Sequence, residues 1–287
     1  MLSLRAHAKL TLSLEVLGRR EDGYHEVVAV LQSVSLADTL TASAAAAVHL
    51  RCAVPGLSGP ANLAWQATDL LRREAGLGFG ALLTLDKAIP VAAGLGGGSA
   101  DAAGALALLN RFWELDWPDE RLRPLASRLG ADVPFALHGG TALATGTGTD
   151  IQPLPPLQET WFVLLRPPWL LPSKTARLYA LLRPPNFSDG ARTRALAAAL
   201  SHGNLPHELL GNVFDAVAEE AFPGLASYRT RLRSLGATVV HLAGAGPTLF
   251  ALAPSGEAAH AWTLALKAQG HDAYAVSSVS RGVVFAE

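Results

Sequence analysis

Pro90-Val91-Ala92-Ala93-Gly94-Leu95-Gly96-Gly97-Gly98-Ser99-Ala100 is the stretch of this chain whose residue types and spacing most clearly permit chemistry. Glycines at 94, 96, 97 and 98 let the backbone turn its N–H groups inward with no side chain in the way. The Ala/Leu-rich segment 100–109 predicts a helix, whose first turn adds free N–H groups and the positive end of a dipole. A strand is predicted just upstream, over 81–85. Strand, glycine loop and helix in that order form a cradle for phosphate. Two common phosphate loops are excluded on spelling. A Walker A loop ends Gly-Lys-Ser/Thr where this one ends Gly98-Ser99-Ala100, and the Rossmann fingerprint needs a third glycine where Ser99 stands.

The rest of the chain must position that loop. At 287 residues, half of them apolar, it can form one large or two ordinary domains around a sizeable core. A net charge of −1, with basic residues spread along the chain, points away from nucleic-acid and membrane surfaces, so the phosphate chemistry must be local. Cys52 is the only cysteine, which excludes an internal disulfide and a cysteine-built metal site and fits a reducing cytoplasm. Charges interrupt the first residues too early for a signal-peptide core, and the most apolar later stretch, 161–171, contains Arg166 and two prolines. No membrane span is expected.

Period-two alternation predicts a half-buried strand over 10–16, turn residues fill 18–23, and 24–31 reads as the return strand. Further strands are possible at 39–41 and 48–50. Helices are predicted over 62–74 and 119–129, then a short helix with Pro134 in its first turn, and a strand from 141. Asp132, just before that proline-started helix, has the look of an N-cap. The proline cluster at 153–156 is taken as a boundary between domains 1–155 and 156–287. Beyond it, strands are expected at 161–165, 238–242, 248–252 and 273–279, and helices at 174–182, 191–200, 213–221, 225–235 and 257–267. The fold class is α/β, with two domains.

The pattern Pro-x-x-x-Gly-Leu-Gly-Gly-Gly-Ser-Ala resembles the second motif of the GHMP kinases, a family that phosphorylates small-molecule hydroxyls with ATP. Two other segments match in the family's order. Gly130-Ala131-Asp132-Val133-Pro134 is one; Ala243-Gly244-Ala245-Gly246-Pro247 is similar to the third motif, with Ala245 where serine or threonine is common. Ala8-Lys9-Leu10-Thr11-Leu12-Ser13-Leu14 and Gly18-Arg19-Arg20-Glu21-Asp22-Gly23-Tyr24-His25 resemble the opening of the branch that acts on a cytidylated alcohol in the non-mevalonate route to isoprenoids. Thr11 replaces that branch's usual Asn, and a hydroxyl lacks the two-ended pairing of an amide. Asn212-Val213 replaces a usual Asn-Asp, and Asn212 is given no site role.

The resemblance implies a GHMP kinase fold with its site in the cleft between domains. It implies ATP, held by Pro90, Gly94, Leu95, Gly96, Gly97, Gly98, Ser99 and Ala100, and Mg²⁺ bridging the phosphates, with no metal cage of protein side chains. Asp132 becomes the base, against its reading as a cap, and Lys9 its partner. Tyr24 and His25 are implied to take the cytosine of the substrate, with Thr175, Tyr179, Gly244 and Gly246 completing that site; Tyr179 also lies at helical spacing from Leu182 and can equally be core. Cytidylated substrate and ATP are the expected partners of a monomer or weak homodimer. A GHMP kinase for another alcohol, of homoserine or mevalonate type, and a non-catalytic binding protein of the same fold are the alternatives.

Overall fold

Every even position from Leu4 to Val16 is apolar, and strand β1 (Leu2–Arg19) buries all of them. The computed structural model describes residues 2–169, 171 and 173–286. β1 is longer than the 10–16 expected, and it is not half-buried: Lys9, Thr11, Ser13 and Glu15, on its polar face, are buried too. The second half of the chain covers that face and satisfies it. Ser13 and Thr193 share a hydrogen bond of 2.7 Å, and Glu15 accepts from Ser188 Oγ and the Thr193 N–H, each at 2.7 Å. Buried polar groups are tolerated when paired in this way.

β1 pairs antiparallel with β2 (His25–Ala45), and the possible strand at 39–41 is part of β2. One end of β2 pairs with β4 (Gly80–Asp86), which carries β3 (His49–Cys52) in parallel; the other end pairs with β5 (Thr141–Thr145), followed by β6 (Asp150–Leu154). Two short strands from the later half complete this eight-stranded sheet, β8 (Gly211–Asn212) and β12 (Val283–Phe285), both on β1. Helices α1 (Leu63–Glu74), α3 (Asp119–Leu129) and α4 (Val133–His138) pack around α2 (Gly97–Phe112), which lies against β1 and β2. A Cβ on Gly104 would come within 3.1–3.2 Å of Leu40, Ala6 and Leu4, so α2 lies close on the sheet.

The second sheet runs β11 (Asp272–Ser277), β7 (Trp161–Arg166), β10 (Leu249–Ala253), β9 (Val240–Leu242), antiparallel throughout. α5 (Lys174–Leu181), α6 (Ala191–Ser201), α7 (Ala218–Ala221), α8 (Leu225–Ser234) and α9 (Gly256–Ala268) complete this half. The helix expected over 213–221 is broken into a 3₁₀ turn, Val213–Ala216, and α7. Asp215 is the reason: its carboxylate binds Arg229, His241 and the Leu242 N–H, which ties the turn to β9.

β1 serves two cores. Thr11 and Ser13 oppose the neighbouring residues Leu31 and Val30, so β1 carries one extra residue there. Leu4 to Leu12 pack with α2, whereas Leu14 and Val16 pack with Val27, Leu31, Phe135 and Phe214 in the second core.

Candidate active site

The glycine loop is shaped by positive φ at Ala92, Gly94 and Gly96, 57°, 90° and 70°. Gly96 stands at the N-cap of α2 and offers no side-chain cap, so the first-turn N–H groups of Gly97, Gly98 and Ser99 have no partner within the helix. Lys9 crosses the loop: its N–H donates to the Leu95 carbonyl at 2.9 Å, and a Cβ on Gly96 would lie 2.8 Å from Lys9 Cγ. Pro90, Gly94, Leu95, Gly96, Gly97, Gly98 and Ser99 all line one open cleft of about 1820 Å³. Ala100 does not face it. Its N–H is committed to the Gly96 carbonyl and its methyl is in the core.

Asp132 occupies the N-cap position of α4 but makes no side-chain cap hydrogen bond. Its Oδ2 lies instead 3.3 Å from Lys9 Nζ, which also donates to Thr11 Oγ1 at 3.2 Å. Thr11 therefore braces the ammonium. The third-motif turn closes over this pair: a Cβ on Gly244 would stand 3.5 Å from Lys9 Nζ, and one on Gly94 would strike the Ala243 carbonyl. Gly246 turns away, toward Leu242 and Phe222, and its carbonyl accepts from Lys174 Nζ. Asn212 sets the turn. Its amide donates to the carbonyls of Leu242 and Gly244, at 3.0 and 2.8 Å, while its oxygen accepts from the Phe214 N–H. Sequence reasoning gave Asn212 nothing, since those partners lie some thirty residues downstream.

The far end of the cleft is aromatic. Arg20 clips the β1–β2 hairpin by binding Asp22 and Glu26, and Asp22 accepts from the Tyr24 N–H. Tyr24 is left 67% exposed at the rim. His25 stacks on Tyr179, centroids 4.6 Å apart and planes 20° from parallel, with Phe187 edge-on at 6.2 Å. Burial, then the charge of Arg19, lowers the His25 pKa, so near neutrality the ring presents one donor and one acceptor. Tyr179 thus spends a face on His25 and sets its tilt. Thr175 also lines the cleft. Phe187 and Lys174 line the cleft and were missed from sequence, having no motif around them.

Behind Gly97, where Lys87 and Asp101 also reach the cleft wall, Lys87 Nζ binds Asp101 Oδ2 at 2.8 Å and Asp38 Oδ2, and Asp38 Oδ1 accepts the Ala88 and Ile89 N–H groups. A Cβ on Gly97 would stand 3.3 Å from Lys87 Nζ. Burial, opposed by Lys87 and assisted by Asp38, pushes Asp101 up to about 8. Its Oδ1 has no hydrogen-bond partner, which further disfavours the ionised form.

Comparison with known proteins agrees with this geometry. Residues 62–140 match the GHMP kinases N terminal domain, and residues 192–272 the GHMP kinases C terminal domain. A 4-diphosphocytidyl-2-C-methyl-D-erythritol kinase of Dehalococcoides mccartyi is 42% identical over 280 residues, covering 97% of this chain and 99% of that one. One of Pelotomaculum thermopropionicum is 42% identical over 88% of this chain and 90% of its own. A crystal structure of a 4-(cytidine 5'-diphospho)-2C-methyl-D-erythritol kinase superposes with a TM-score of 0.83 at 36% identity, over 96% and 98% of the two chains. Homoserine kinase from Cytophaga hutchinsonii shares the fold, with a TM-score of 0.76 at 18% identity over 99% and 97%. With a free-donor glycine loop, a lysine–aspartate pair beside it and both family domains matched in order, the chain belongs to the GHMP kinase family.

Proposed function

We propose that this kinase transfers the γ-phosphoryl group of ATP to the 2-hydroxyl of 4-diphosphocytidyl-2-C-methyl-D-erythritol. One observation carries the reading: the Lys9–Asp132 pair and the Tyr24–His25 end share a single cleft, so one bound molecule can present a hydroxyl to the first and a base to the second. The hydroxyl oxygen attacks Pγ, its proton passes to Asp132, and the bond from Pγ to the bridging oxygen breaks with its electron pair leaving on ADP. Lys9 holds Asp132 in place and offers positive charge to the reacting oxygen. The first-turn N–H groups of Gly97, Gly98 and Ser99 hold the phosphates of the nucleotide. Tyr24 gives the cytosine a flat face, and His25, steadied by Tyr179, meets its edge.

Among the described residues no group of three or more His, Cys, Asp or Glu is placed to hold a metal ion. Mg²⁺ fits all the same, because it keeps waters and is held largely by phosphate oxygens; the Ser99 hydroxyl is the side chain at the loop suited to it. When bound, the ion offsets the charge that gathers on the phosphates.

The test is ATP turnover with four acceptors: the cytidylated alcohol, its counterpart lacking cytidine, homoserine and mevalonate. Turnover confined to the first is expected. Equal use of the uncytidylated alcohol would remove the base-binding role, and preference for homoserine or mevalonate would overturn the substrate.

A further inference from the structure

Lys174 opens α5, and its half-buried side chain forms part of the cleft wall. One hydrogen bond is made, to the Gly246 carbonyl, and no described carboxylate forms an ion pair with it. An ammonium group withdrawn from water ordinarily brings a counter-ion. Here the charges that act on it are Lys9, which repels, and Asp132, which attracts but is already 3.3 Å from Lys9. Two ammonium groups therefore share one carboxylate. Both are fixed against the same turn, Lys9 beside Gly244 and Lys174 on Gly246.

We propose that Lys174 is a further catalytic residue, a second ammonium that hydrogen-bonds the phosphoryl group in transit between ATP and the acceptor oxygen. The inference rests on the kinase reading above and adds to it a residue that no motif marks. A lysine ammonium has three donors and the Gly246 carbonyl takes one, leaving two for an oxyanion. The surplus charge lies where the reaction gathers negative charge. As the acceptor oxygen bonds to Pγ and the bridging oxygen departs with its electron pair, Lys174 keeps all its protons and contributes only hydrogen bonds and charge. Burial and repulsion from Lys9, against the pull of Asp132, bring the ammonium down to about 8. Other titratable groups nearby are Tyr179, a turn along α5, and Glu219 and Glu220 on α7, both exposed, with Glu219 committed to the N–H groups of Gly224 and Ala226.

The rival role is a plain tether between α5 and the third-motif turn. Lys174→Met keeps the length and removes the charge. It is expected to lower kcat roughly 10²-fold, the scale of losing one donor to a developing oxyanion, with KM for ATP and melting temperature unchanged. Lys174→Arg should recover part of the loss. A wild-type decline in kcat/KM above about pH 8, where the ligand-free ammonium loses its proton, should flatten in the methionine variant. A binding measurement frees the result from the acceptor: ADP, Mg²⁺ and aluminium fluoride, a mimic of the planar phosphoryl group, should bind the wild type more tightly than ADP alone does, and Lys174→Met should forfeit most of that increment. An undiminished increment, or a rate loss that follows melting temperature and is not relieved by arginine, would make Lys174 a tether. A wild type that ignores the cytidylated alcohol yet shows a Lys174-dependent increment would refute the substrate and keep this proposal.

Discussion

Two charge clusters flank the glycine loop, Gly96 against one and Gly97 against the other, and they are composed in opposite senses. In the first, Asp38, Lys87 and Asp101 set two carboxylates around one ammonium, with side chains no more than 5% exposed. In the second, Lys9, Lys174 and Asp132 set two ammonium groups around one carboxylate, and Asp132 is 38% exposed. The closed cluster cancels its excess internally, because Asp101 is raised to about 8 and holds a proton near neutrality. The open one has no such outlet. Both clusters reach the cleft wall, but the nearly buried one is neutralised within itself, whereas the more open one keeps a surplus positive charge toward the cleft.

The contrast is broken most forcefully at Asp132. Asp132→Asn keeps shape and cannot accept a proton, so a loss of ~10²- to 10⁴-fold in kcat is expected. No cap bond is lost, so thermal melts of variant and wild type should superimpose. Near-normal turnover beside a lowered melting temperature would return Asp132 to a capping role. In the closed cluster the same kind of change should strike stability instead. Lys87→Met takes from the Asp38 carboxylate and the Asp101 carboxyl the partner they share and should cost roughly 3–5 kcal/mol, read from the urea midpoint. A variant of undiminished stability whose rate collapsed would put Lys87 in the chemistry and erase the distinction between the clusters. The smallest effect belongs to the exposed rim. Tyr24→Ala should raise KM for the cytidylated substrate by about ten- to a hundredfold, since base stacking is worth ~1–3 kcal/mol, and leave KM for ATP alone. A rise in the ATP constant would move this tyrosine to the nucleotide.

The open cluster was partly legible in the sequence and the closed one was not. Glycine spacing is a local signal that marks the loop by itself, whereas Lys9 and Asp132 could be read as a pair only through the resemblance of the two short segments around them to the family's motifs. Asp38, Lys87 and Asp101 come from the middle of β2, the residue after β4 and the second turn of α2, and become a unit only when burial leaves them one another as partners. Lys174 looks like a solvent lysine at a helix start, the ordinary fate of that residue type. Asn212 was passed over because its value lies in reaching two distant carbonyls. The long amphipathic helix α1 was readable from its period and α3 from its helical run up to Gly130, whereas β8 and β12, two and three residues long, carry no period of their own and exist because β1 offers them an edge.

The extra residue between Thr11 and Ser13 bears on how the molecule comes apart. A strand whose first part belongs to one core and whose last part belongs to the other cannot release either alone, and β8 and β12 bind the later half to that same strand. Two-part enzymes commonly melt in steps. This one is expected to lose its order in a single calorimetric transition, with calorimetric and van't Hoff enthalpies equal, because the element at its centre has no half that is free to stay behind.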